Sequence, residues 1–234
     1  MFRNNDASDG GRAVLIEPPD EDVISLSDCK KALGITGTTQ DSVIQNAIWA
    51  AVDNLDAASG SLNRALREQT WELQLRSFND RRPVVRPHNN PLAIPLPYPP
   101  LLSIISVMYF DTSGAEQTLL PDTGYRVLGV GAPLERQAIA PPYGGIWPVA
   151  RFDDASVRVR FTCGYDDDQN IMPRQLKQAV CLAVRDLIPL MTRDQMLFED
   201  RVEGVSSKRY QSNPQFAAVT QNAIASLLRN LRVD

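Results

Sequence analysis

Among 234 residues, the groups able to do chemistry are sparse. The chain has one histidine, His88, in the segment Arg86-Pro87-His88-Asn89-Asn90. A histidine works as a base only beside a nucleophile or a carboxylate that orients it, so a lone histidine in a loop reads as surface. Asp166, Asp167 and Asp168 could offer carboxylate oxygens to a hard cation. The alternating ligands, glycine and distal glutamate of a calcium loop are missing from that run. Three acids ahead of a helix also suit its positive end, which is the simpler reading. Cys29, Cys163 and Cys181 have no CxxC spacing and no nearby histidine to lower a thiol pKa, so they read as buried packing. Gly129-Val130-Gly131 lacks the lysine and following helix of a phosphate loop. No cofactor or metal is called for, no catalytic constellation forms, and the expectation is that the chain is not an enzyme.

The densest basic run is Arg76, Arg81, Arg82 and Arg86. Arginine suits both phosphate contacts and subunit interfaces. The run has no interleaved aromatics, and 24 Lys+Arg stand against 28 Asp+Glu for a net charge of −4. A generic DNA coat draws its affinity from excess cationic charge, so these arginines are read as a subunit interface or a DNA-facing loop rather than as the core of a DNA-binding module.

The elements that position these groups follow from periodicity. Residues 1–22 read as an extended arm, with Gly10-Gly11 and Pro18-Pro19 opposing regular structure. A helix is expected over 25–34, capped by Ser25 or Ser27 and closed by Gly34. A second is expected over 39–59, capped by Thr38 or Thr39 and closed by Gly60, with Ile44, Ala47, Ile48 and Ala51 on its apolar face. At Thr70 the period drops to two. Trp71, Leu73 and Leu75 alternate with polar residues, as do Val157, Val159 and Phe161, and turn residues between such runs predict an antiparallel sheet of five or six strands over about 68–165. Helix returns over 173–188, with Pro189 expected to end it. Residues 193–234 read as a polar linker and a last helix capped by Asn213 and opened by Pro214. Its stripe of Phe216, Val219, Ile224, Leu227 and Leu231 fits either a partner's groove or the chain's own core. The fold class is α+β: a helical core over 23–192 with an inserted antiparallel β portion, and a C-terminal helix.

Proline punctuates the middle of the chain. Of 17 prolines, 12 fall between Pro83 and Pro148. Pro91 to Phe110 carries no charge over 20 residues, but five prolines there exclude a membrane-spanning helix, and no membrane association is expected.

Three segments, taken in order, resemble the head–tail connector (adaptor) proteins of long-tailed bacteriophages and gene transfer agents. They are Gln69-Thr70-Trp71-Glu72-Leu73; Pro95-Leu96-Pro97 through Pro99-Pro100-Leu101 into Ser103-Ile104-Ile105-Ser106-Val107 and Asp111-Thr112-Ser113-Gly114; and Phe161-Thr162-Cys163-Gly164-Tyr165 followed by Met172-Pro173-Arg174-Gln175-Leu176. The likeness runs from about Leu26 to Leu190. It implies a non-enzymatic ring, usually of twelve subunits, beneath the portal protein at the capsid vertex of a virion. Such a ring extends the DNA channel, lets DNA pass without specific binding, and offers a platform to the stopper or tail protein. The family commonly engages the portal through a C-terminal segment, which here points to Phe216, Val219, Ile224, Leu227 and Leu231. A stopper or tail-completion protein of the same neck is the alternative, and assembly in the bacterial cytoplasm is implied in either case.

Overall fold

The computed structural model describes residues 11–57, 59–80, 90–130, 136–166, 171–191, 200–202, 206–208 and 214–232. These form an α+β fold in two compact units, one built from Met1–Glu21 and Asp56–Ile171, the other from Asp22–Leu55 and Met172–Arg232.

The first unit holds a five-stranded sheet in the order β1-β2-β8-β4-β5, with every neighbouring pair antiparallel. Its strands are β1 (Gly11–Glu17), β2 (Gln69–Leu75), β4 (Leu101–Phe110), β5 (Glu116–Leu119) and β8 (Val157–Cys163). A three-stranded sheet, β3 (Ile94–Pro95), β7 (Ala138–Ala140) and β6 (Arg126–Leu128), completes the unit. The alternation of β8 lands as expected: Val157, Val159, Phe161 and Cys163 are buried, with Arg158, Arg160 and Thr162 between them. Register sets Phe161 opposite Trp71, Val159 opposite Leu73 and Val157 opposite Leu75, so one apolar face runs across the centre of the sheet. Against it pack Phe78, Ile94, Leu96, Tyr125, Ile139 and Trp147.

Residues 11–17 depart from the expected arm without regular structure. They are a strand, because Gly11 to Glu17 pairs with Leu75 to Thr70 and so satisfies the outer edge of β2. Pro18-Pro19 ends the strand instead of precluding it. Burial of β2 is also more complete than a one-faced strand would give, since Thr70 and Glu72 are buried beside Trp71 and Leu73.

The second unit is helical. Ser25 caps α1 (Leu26–Leu33), its Oγ accepting from the Asp28 amide at 3.1 Å, and Gly34 closes the helix in the left-handed conformation at φ 69°. The helix α2 spans Asp41–Asp53, shorter than the expected 39–59. Neither Thr38 nor Thr39 caps it. Gln40 stands at the cap without a side-chain bond, while Asp41 places a negative charge in the first turn. Asp22 accepts from Gln45 Nε2 and Trp49 Nε1, both at 3.1 Å, tying the preceding segment to this helix. The longest helix is α3 (Arg174–Met191), which buries Leu176, Ala179, Val180 and Val184 and packs against α2. Pro189 lies inside α3 and does not stop it at Ile188; the missing amide and the ring's clash with the Arg185 carbonyl are borne by a helix held through its packing on α2. The expected linker contains a short hairpin, β9 (Asp200–Val202) with β10 (Ser206–Lys208). The last helix, α4 (Pro214–Leu228), packs on α3, where Arg185 Nη2 donates to Thr220 Oγ1 at 3.2 Å. Asn213 lies outside the described residues. No helix among the described residues is long and apolar enough to cross a membrane.

Candidate interaction surfaces

His88, Arg81, Arg82, Arg86, Asp167 and Asp168 lie outside the described residues, and Arg76 is exposed just beyond β2. All three cysteines are free and buried. Cys29 and Cys181 lie side by side in the helical unit, and the hydrogen bond from that neighbour, together with burial, raises the Cys29 thiol. Burial raises Cys163. Among the described residues, no group of His, Cys, Asp or Glu side chains is placed to hold a metal ion. A cleft of about 560 Å³ is lined by Glu17, Asp20, Glu21, Glu68 and Asp166, and two of these carboxylates are engaged within the protein. Arg67 pairs with Glu21, and Thr70 Oγ1 donates to Glu17 Oε2 at 3.0 Å.

The β unit presents two distinctive surfaces. One is the polar face of the sheet. Arg160 Nη2 donates to Glu72 Oε2 at 2.9 Å, and Arg158 Nη2 donates to Glu116 Oε2 at 2.6 Å. The Phe110 ring lies between two guanidiniums, 5.3 Å from Arg158 and 5.4 Å from Arg151, and Arg151 in turn pairs with Asp153 at 3.0 Å. Each of these three arginines thus has a carboxylate partner, so the face is a neutral network rather than a phosphate-binding patch.

The other surface is the loop 141–153. Tyr143, Ile146, Val149 and Phe152 are 93%, 80%, 74% and 70% exposed. Between them Trp147 turns inward, stacking on Phe78 at 4.7 Å with ring planes 7° apart while its Nε1 donates to the Leu92 carbonyl at 2.7 Å. The loop is held again where the Arg151 amide donates to the Phe110 carbonyl at 2.9 Å. Sequence reading missed this surface, since four large apolar residues are ordinarily assigned to a core. Their regular three-residue spacing was the available signal.

On α4, Val219 is 65% exposed, Ile224 and Leu227 are half-buried, and Leu231, beyond the helix end, is buried at 3%. The stripe is therefore divided: its C-terminal end packs within the helical unit and its earlier part faces outward. The side chain of Phe216 lies outside the described residues.

No protein-family model matches the chain, and no curated protein does so. Its fold is similar to chains in solved structures described as the neck of an empty GTA (gene transfer agent) particle computed with C6 symmetry, the virion of a native gene transfer agent particle, and the neck of a native GTA particle computed with C12 symmetry. The first likeness has a TM-score of 0.61 at 17% identity, covering 95% of this chain and 96% of that one. The second has 0.60 at 17%, covering 95% of each. The third has 0.54 at 16%, covering 95% and 96%.

Proposed function

We propose that this chain is a structural protein of the neck of a phage-like particle, acting as a head–tail adaptor. The observation that carries the reading is fold likeness over nearly the whole of both chains to components of gene transfer agent necks. The ordered motifs Gln69–Leu73, Pro95–Val107 and Phe161–Leu176 support the adaptor in particular, and the neighbours' role as particle components supports a non-enzymatic role. In this reading the chain forms a ring of about twelve copies under the portal protein. It is assembled in the bacterial cytoplasm and kept in the virion, and it carries the stopper or tail protein on its far side. The C12 symmetry of one neighbour favours the twelvefold count.

The mechanism is assembly. Apolar surface is buried between copies, and DNA passes through the channel without specific binding. The net charge of −4 and the carboxylate-paired arginines of the β sheet both suit a wall that does not retain phosphate. For portal contact, Val219, Ile224 and Leu227 are the stripe positions with surface to offer, with Phe216 beside them in sequence and Leu231 anchoring the segment. Arg76, with Arg81, Arg82 and Arg86, is assigned to subunit contacts or the channel wall.

Copurification from disrupted particles tests the reading. The chain should come away with portal protein, and deletion of Pro214 to Asp234 should weaken that association. Recovery with tail proteins alone would make it a stopper, salt-dependent retention on DNA would make it a DNA-binding module, and absence from particles would remove it from the neck.

A further inference from the structure

We propose that Cys29 and Cys181 are a dithiol that oxidises to a disulfide, a covalent staple between α1 and α3 within the helical unit.

The two thiols are far apart in the chain and meet in the fold. About 150 residues separate them, including all of Asp56–Ile171, yet both belong to the helical unit, where α1 packs on α3. Cys29 is the buried residue of α1, at 0% exposure, and Cys181 follows Val180 on α3 at 7%. A hydrogen bond joins their side chains. Their neighbours show the same facing: Asp28, beside Cys29, feels the charge of Lys177, one turn before Cys181. Thiols in hydrogen-bond contact are brought to bonding distance by side-chain rotation. Cys163 is buried in the sheet core of the other unit, which leaves Cys29 and Cys181 as the pair.

The two sulfurs take different roles. Cys181 is the more accessible, and its hydrogen bond with Cys29 lowers its pKa, whereas that bond and burial raise Cys29. A nearly closed site admits a small oxidant, and a peroxide is the class that fits. The Cys181 thiolate attacks one peroxide oxygen, the O–O bond breaks, and the hydroxide released takes up the proton that Cys181 had lost. Cys181 is then a sulfenic acid. The Cys29 sulfur attacks the Cys181 sulfur, the S–O bond breaks, and the departing hydroxide takes the Cys29 proton. Two thiols and one peroxide become one disulfide and two waters, with two electrons passing from sulfur to oxygen. The bond ties α1 to α3 across a long loop of sequence and so restricts the unfolded chain. A particle protein made in the cytoplasm leaves a compartment that keeps dithiols reduced, so the staple closes after release, a timing that rests on the neck reading above.

The test treats the reduced full-length wild type with hydrogen peroxide under native conditions. Thiols titratable after denaturation should fall from three to one, and a non-reducing digest should yield the Cys29 peptide joined to the Cys181 peptide. The oxidised protein should melt about 10 °C higher, and dithiothreitol should reverse the shift. In the variant Cys29→Ala, the Cys181 sulfenic acid has no partner and should be trapped as a dimedone adduct. Three thiols still titratable, a bond that includes Cys163, or an oxidised protein that melts no higher than the reduced one would each overturn the proposal. None of these outcomes touches the neck reading, which particle copurification decides separately.

Discussion

Arg160 and Glu72 face each other directly across the β8–β2 pairing, and the guanidinium donates to the carboxylate at 2.9 Å. The Glu72 side chain is only 9% exposed, while that of Arg160 is 43% exposed. Burial alone would raise the Glu72 pKa, but hydrogen bonds from Gln74 and Arg160 outweigh it and hold the carboxyl below its usual value of 4.5.

The stability consequence has a definite sign. A carboxyl whose pKa falls on folding contributes fully above its unfolded value and loses that contribution as pH falls through the folded one. Glu72→Gln should therefore cost about 1 kcal/mol at neutral pH, a figure discounted for the solvent around Arg160. The gap to wild type should narrow as the medium is acidified below the ordinary carboxylate range. Urea titrations of both proteins across that window measure it, and a pH-independent gap would assign the loss to packing.

Trp147 contributes a stacked ring and a buried donor on the opposite, apolar side of the sheet. Trp147→Ala should cost about 3–5 kcal/mol in denaturant unfolding, through lost apolar contact and the cavity left behind. Trp147→Phe should recover most of this and lose about 1 kcal/mol with the bond to the Leu92 carbonyl. Equal losses in the two variants would contradict the stacking on Phe78.

Gly164 adopts φ 121°, and a Cβ there would lie 2.0 Å from the Arg67 carbonyl oxygen. Gly164→Ala should destabilise by more than about 3 kcal/mol, since a backbone contact cannot yield as a flexible side chain does. Gly144, at φ 73° with nothing within 4 Å, is the matched control. Its alanine variant should cost only about 1 kcal/mol, the left-handed penalty alone. Thermal melts of the two variants make the comparison, and similar melting points would contradict the close approach at Gly164.

The three buried thiols should resist a maleimide reagent in the native protein and react at the rate of unfolding. Cys181 is 7% exposed where Cys29 and Cys163 are at 0%, so any native labelling should begin there. Mass spectrometry of a labelling time course identifies the site, and early modification of Cys163 would contradict its place in the sheet core.

The sheet was readable where burial follows a local period. Val157, Val159 and Phe161 announce β8 by alternation, and Trp71, Leu73 and Leu75 announce β2. β1 was not readable, because Gly11 to Glu17 becomes a strand only through pairing with residues more than fifty positions away. The same holds for Glu72, whose burial on a polar position depends on Arg160. Pro189 does not end α3, because propensity describes a helix on its own whereas α3 is held by its packing on α2. The loop surface was hidden by the usual inference from apolar to buried, which fails where an inward-turning residue such as Trp147 carries its neighbours out.

The division of the helical unit between Asp22–Leu55 and Met172–Arg232 dictates an order of events during synthesis. α1 and α2 leave the ribosome first, yet α3, which covers the Ile44 and Ile48 face, follows only after all of Asp56–Ile171 has been made. At typical elongation rates that wait is on the order of ten seconds. Every strand of the five-stranded sheet has emerged by Cys163, so the portion translated in the middle can close before the portion translated first. Over that interval the nascent chain carries an uncovered apolar helix pair, the stage at which a chaperone would have the most to shield.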